Sequence, residues 1–188
     1  WKVKKLIAKG NNIDFEIKDF ISKGYFKTNI NSLHLSSLIS EEINKERVDE
    51  NKPFHYFDIN IKMREIIKNH INNNFKELLN KIELYYNSRV AVAKVKIQRN
   101  FNIGNSKKEV YSNFYHVDHY VYNHFKLFIN LMDTEIENGP LHIYSKEHTK
   151  EFVKINKYKN RNNYIDKEMK SLLKINSGKK GESFIANT

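Results

Sequence analysis

At 188 residues the chain has room for one substantial core and too little for two ordinary domains, and its 39% hydrophobic and 13% aromatic content is enough to fill one. A charged fraction of 29%, with no apolar run near the roughly 20 residues that span a bilayer, argues against a membrane protein. The absence of cysteine excludes disulfides, thiolate metal sites and a cysteine nucleophile, and fits a cytoplasmic protein. A net charge of +11 favours polyanions in general, yet the lysines are scattered among asparagines and isoleucines and form no basic stripe with interleaved aromatics. A nucleic-acid partner is therefore not expected.

The basic start, Trp1-Lys2-Val3-Lys4-Lys5, leads into Leu6-Ile7-Ala8-Lys9 and not into an apolar signal-peptide core. Asp14 is placed to cap a short helix with Phe15, Ile17, Phe20 and Ile21 apolar, closed by Gly24 where a left-handed residue is wanted. Ser32 is placed to cap a second helix carrying Leu35, Leu38, Ile39 and Ile43. After Pro53, the residues Met63, Ile67, Ile71, Phe75, Leu78 and Ile82 recur every three or four positions, which predicts a core-facing helical stripe. Residues 1–88 thus read as mostly helical.

From Arg89 the period changes to two. Ala91, Ala93, Val95 and Ile97 alternate with Val92, Lys94, Lys96 and Gln98, the pattern of a half-buried strand. Extended runs follow at Val110–Tyr120, Phe125–Met132 and Leu141–Tyr144, the last after the turn Glu137-Asn138-Gly139-Pro140. Residues 151–180 are polar and read as partly helical, and Gly181 opens a last strand, Ser183-Phe184-Ile185-Ala186. Helices followed by a succession of strands predict an α+β fold whose sheet part closes as a barrel or sandwich.

His116-Val117-Asp118 carries the chemistry. In a strand, residues i and i+2 project from one face, so an imidazole and a carboxylate two apart can meet one divalent ion. A further ligand from elsewhere would complete a two-His-one-carboxylate face with open positions, a set suited to Fe(II) and also able to hold Mn, Co or Zn. The tripeptide alone is weak in a chain with 8 histidines. On the run that follows, Phe125, Leu127, Ile129 and Leu131 share one face while Lys126, Phe128 and Asn130 share the other, which would let Lys126 or Asn130 line a polar cavity. Gln98 and Tyr111 could face the same space. His119 points opposite to His116 and His124 sits in a loop, so both read as surface residues, whereas His142 and His148 are the rivals for a third ligand within the chain.

The ordered set Phe114-Tyr115-His116-Val117-Asp118, Phe125 to Asp133, Asn138-Gly139-Pro140-Leu141, Ser145-Lys146-Glu147-His148-Thr149-Lys150 and Gly178-Lys179-Lys180-Gly181 with the strand after it resembles the phytanoyl-CoA dioxygenase family over residues 111–188. The resemblance implies a double-stranded β-helix, or jelly roll, with the N-terminal helical part packed on the sheet. It also implies Fe(II) held by His116 and Asp118, 2-oxoglutarate as co-substrate, O2 and a small-molecule substrate. The family's distal histidine, and the arginine that holds the far carboxylate of 2-oxoglutarate, would fall beyond Thr188. The expectation is thus one oxygenase domain over 1–188, incomplete at its C-terminal end, with a helical insertion near 151–180. Two departures matter. The family's Pro-Gly-Ser-His element stands here as Tyr144-Ser145-Lys146-Glu147-His148, and no arginine in the chain occupies the matching position. Halogenating relatives carry a small residue where Asp118 stands, so the carboxylate points to hydroxylation or a related oxidation.

Overall fold

The computed structural model describes residues 15–101, 115–116, 124–155, 161–162 and 174–187. Helix α1 (Phe15–Lys23) closes at Gly24, whose φ of 87° is the left-handed conformation open to glycine and whose N–H donates to the Phe20 carbonyl at 3.0 Å. A short strand β1 (Tyr25–Lys27) follows, and then helix α2 (Leu33–Ile43). The stripe from Met63 to Ile82 is buried throughout, but it belongs to two helices, α3 (Ile61–Asn74) and α4 (Lys76–Tyr86). Asn60 starts α3 by accepting from the Met63 N–H at 2.8 Å, and Asn87 ends α4 in the left-handed region at φ 50°. At the break, Phe75 leaves helical dihedrals (φ −103°, ψ 3°) while its N–H still donates to Ile71 and its carbonyl accepts from Leu79. Phe75 thus stands outside both helices while its own N–H and carbonyl bond to one on each side.

The strands are β2 (Phe54–Phe57), β3 (Ile97–Asn100), β4 (Tyr115–His116), β5 (Phe125–Ile129), β6 (Leu141–Ile143), β7 (Arg161–Asn162), β8 (Lys174–Asn176) and β9 (Ser183–Asn187). A fifth helix, α5 (Lys146–Ile155), stands between β6 and β7. All pairings are antiparallel: β9 lies between β1 and β5 in a three-stranded sheet, and β2–β3, β4–β7 and β6–β8 form two-stranded ladders. The architecture is mixed helix and sheet, and among the described residues the strands do not close a barrel.

The core sits where the helices cover the three-stranded sheet. Ile17 and Phe20 of α1, Leu35, Ile39 and Ile43 of α2, the Met63–Ile82 stripe and Ile185 of β9 form one cluster, with Phe125, Leu127, Ile129 and Leu131 packed against it. Phe20 is its hub, meeting Phe26, Tyr86 and Phe125 edge to face at centroid distances of 6.2, 6.4 and 6.1 Å. Among the described residues no helix is long and apolar enough to cross a membrane.

Three expectations need correction. Of the alternating run from Arg89, only Ile97 onward is strand, because β2 offers just four partners and ends at Phe57, opposite Ile97. Among the described residues, 89–96 have no partner strand, and Ala91 and Ala93 are exposed. The mostly helical first part contains a strand the periodicity did not reveal, Phe54–Phe57, whose unbroken aromatic run lacks alternation. Of the segment read as partly helical, 151–155 is helical but as the end of a helix that begins at Lys146, Lys174–Asn176 is strand, and residues 156–160 and 163–173 lie outside the described residues. Ser145 explains the early start: its hydroxyl accepts from the His148 N–H at 3.2 Å and its carbonyl from Thr149 at 2.8 Å, so it caps α5.

Candidate metal and cofactor site

His116 lies in β4, opposite Arg161, and of this residue only the backbone is described. Asp118, Val117, Tyr111 and His119 lie outside the described residues. Among the described residues no three His, Asp or Glu side chains converge as a metal-holding group, and that set does not include the side chains of His116 and Asp118.

β5 divides its side chains as the period of two requires. Phe125, Leu127 and Ile129 go to the helical core. On the opposite face the register aligns Lys27, Phe184 and Phe128 in one row and Tyr25, Ala186 and Lys126 in the next. Phe128 lies flat on Phe184, with centroids 4.6 Å apart and planes within 5°. Phe184 and Ala186 are nevertheless buried, at 4% and 1% exposure, so β9 is covered on both sides. Lys126 therefore shares a face with a stacked aromatic pair. Asn130, just past β5, has its backbone committed: its N–H donates to Glu182 at 2.9 Å, and its carbonyl accepts from Gly181 at 2.8 Å and from the Ser36 hydroxyl at 2.9 Å. Gln98 stands exposed on the β2–β3 ladder and donates to Asn100 at 2.6 Å.

Of the two rival ligands, His142 sits exposed in β6, opposite Ile175. His148 sits in the first turn of α5, and its buried Nδ1 has no hydrogen-bond partner among the described residues.

The turn ahead of β9 is held by charge. The Asp133 carboxylate accepts from the Lys180 N–H at 2.8 Å and from the Lys179 ammonium at 2.9 Å, and these bonds hold its pKa below the usual carboxylate value. Glu182 is lowered too, first by its hydrogen bond with Lys27 at 2.6 Å and also by the Lys179 N–H.

Sequence reasoning missed a second set of anchors. Ser32, Ser36 and Ser40 lie four apart on one side of α2: the Ser36 hydroxyl reaches the Asn130 carbonyl, the Ser40 hydroxyl reaches that of Leu131 at 3.0 Å, and the Ser32 N–H donates to Gly181 at 2.9 Å. The signal was present as serines at helical spacing. Lys146 was also missed; its ammonium reaches the Ile21 carbonyl at 3.2 Å, giving the end of α1 a donor from α5. Comparison with protein-family profiles, with curated proteins and with solved structures finds no significant match.

Proposed function

We propose that this chain carries the metal-binding part of an Fe(II)- and 2-oxoglutarate-dependent dioxygenase that hydroxylates a small organic substrate, with His116 and Asp118 as iron ligands. One observation carries the reading: the aromatic-His-x-Asp run is followed, in order, by the further segments that resemble the phytanoyl-CoA dioxygenase family. Three features of the fold support it. His116 lies on extended backbone, where a residue two positions on would share its face. The chain is mixed helix and sheet with the helices packed on one sheet face. The other face of that sheet carries Lys126 beside Phe128 and Phe184.

In this reading a double-stranded β-helix would surround the site. When bound, iron and 2-oxoglutarate supply the oxidising chemistry. The chain's own residues hold and orient: His116 and Asp118 present the metal with one neutral and one anionic donor, Lys126 offers a cation for a carboxylate of the co-substrate, and Asn130 offers an amide. The apolar pair Phe128–Phe184, on the face that carries Lys126, would keep water from that side of the co-substrate.

The test is succinate formation from 2-oxoglutarate by the full-length protein with Fe(II). Turnover is expected, and Asp118→Ala is expected to abolish it while leaving far-UV circular dichroism unchanged. Wild-type succinate production by Asp118→Ala would overturn the metal assignment. Anaerobic Fe(II) titration of the 188-residue chain separates the ligand sets. Weak binding is expected from two ligands on one segment, whereas tight 1:1 binding would make His142 or His148 a ligand.

A further inference from the structure

Ser32 is wholly buried, and three elements meet on it. Its N–H donates to Gly181 in the turn ahead of β9 at 2.9 Å, its carbonyl accepts from Ser36 in α2 at 2.9 Å, and its hydroxyl lies 2.8 Å from His70 Nε2 in α3. Gly181 is seated so tightly that a Cβ there would stand 2.5 Å from the backbone of Leu33. A small displacement of Ser32 is therefore felt directly at the start of the central strand.

The tautomer of His70 follows from Asn74. The Asn74 amide nitrogen donates to the His70 carbonyl at 3.0 Å and stands 3.2 Å from His70 Nδ1. The NH2 group is thus the end that faces Nδ1, Nδ1 is the acceptor, and the single proton of the neutral ring sits on Nε2, donating to Ser32. The same bonding explains why this is not a nucleophilic serine: Nε2 has no lone pair left to take the hydroxyl proton.

We propose that Ser32, His70 and Asn74 form an acid-released latch, closed when His70 is neutral and opened when it is protonated, which fastens α3 to the turn that starts β9. A proton on Nδ1 sets two donors against each other at 3.2 Å. Turning the amide over to relieve this would set its oxygen against the His70 carbonyl. The ring, which is only partly buried, relieves both by swinging towards water, and Ser32 loses its partner. Burial lowers the pKa of His70 below the ordinary imidazole value, and His34 on the facing helix α2 lowers it further. Lys179 and the Lys180 N–H, in the neighbouring turn, are engaged by Asp133. Phe75, the nearby ring at 5.9 Å, carries no charge.

Because the folded pKa is lowered, the latch contributes fully above the ordinary imidazole pKa of about 6.5 and is lost as pH falls below it towards the folded value. The experiment is hydrogen exchange of the full chain from pH 8 to 5, corrected for the intrinsic pH dependence, on wild type and on His70→Gln, which keeps an N–H for Ser32 but cannot titrate. In wild type, protection at Ser32 and at residues 183–187 is expected to fall at least tenfold across that range, and in His70→Gln to stay level. NMR of ring nitrogens is expected to show the Nε2–H form of His70 with a midpoint below that of free histidine. Equal protection profiles in the two proteins, an Nδ1–H tautomer, or a His70 midpoint at or above the free value would each overturn the latch. If His70→Gln fails to fold, the ring-nitrogen spectra of wild type decide alone.

Discussion

Two segments of this chain read as strands for opposite reasons. Residues 93–98 alternate between apolar and polar, after the apolar run Val90 to Ala93, while Ser183-Phe184-Ile185-Ala186 does not alternate at all. The first is irregular up to Lys96, and the second is the central strand of the three-stranded sheet. Alternation describes what a half-buried strand would look like, but backbone N–H and C=O groups stay extended only where a neighbour completes the ladder. Residues 183–187 have neighbours on both edges and cover on both faces, which is why four consecutive side chains of different character are buried there.

The sharpest way to test that contrast is to remove side chains from both segments. Ile185→Ala, at a position with 0% exposure, is expected to destabilise by about 2–5 kcal/mol through lost burial and the cavity left behind. Val92→Ala, at 53% exposure, is expected to stay within about 0.5 kcal/mol. Urea denaturation measures both, and similar losses would mean that 89–96 is packed as a strand after all.

A backbone comparison comes next in size. Gly181→Ala combines φ 84° with a Cβ placed 2.5 Å from Leu33 N and Cα, both immovable backbone atoms. A loss of about 2–4 kcal/mol is expected from strain and overpacking together. Gly139→Ala has φ 69° but nothing within 4 Å, so only the left-handed cost of about 1–2 kcal/mol applies. Equal midpoints for the two variants would show that the turn ahead of β9 yields more easily than its packing implies.

The smallest effect is electrostatic. Asp133 and Glu182 both have lowered pKa values, Asp133 chiefly through the Lys180 N–H and Glu182 chiefly through Lys27. The sign follows: their contribution is whole above the ordinary carboxylate range and is lost as pH falls through the lowered folded values. The double variant Asp133→Asn with Glu182→Gln is expected to flatten part of the acid limb of the stability curve while changing little at pH 7, since the groups are exposed and solvent-screened. An unchanged acid limb in thermal melts between pH 5 and 2 would remove these carboxylates from the account.

The helices were legible in the sequence because their signal is local. Met63, Ile67, Ile71, Phe75, Leu78 and Ile82 all proved buried, and Gly24 proved to be the left-handed close of α1. The two faces of β5 were equally legible, since a period of two needs no knowledge of the partner. What could not be read was anything set by a distant segment. Ser32 reads as a helix cap, yet its hydroxyl makes no cap bond and goes to His70, 38 positions away. Neither the end of β2 at Phe57, which limits β3, nor the serine–carbonyl contacts of α2 with Asn130 and Leu131 leave a trace in local periodicity. Of the candidate site, the sequence names His116, Asp118, Lys126 and Asn130. The structure adds the strand under His116, the face of Lys126 and the committed backbone of Asn130.

The pairing of β9 with β1 also dictates an order of events during synthesis. Lys27 and its partner Glu182 are 155 positions apart, as are Thr28 and Ser183, whereas α3 and α4 are joined through a single residue. The helices can therefore collapse while the chain is still emerging, but β1 and β5 must wait with unpaired edges until residues 183–187 have been made. In that interval the nascent chain holds two short strand edges and an incomplete apolar floor, the surface on which a second nascent chain could dock. Folding yield should accordingly depend on how quickly the last described strand arrives, and a ribosome stalled before Ser183 would hold a chain with its helices formed and its sheet open.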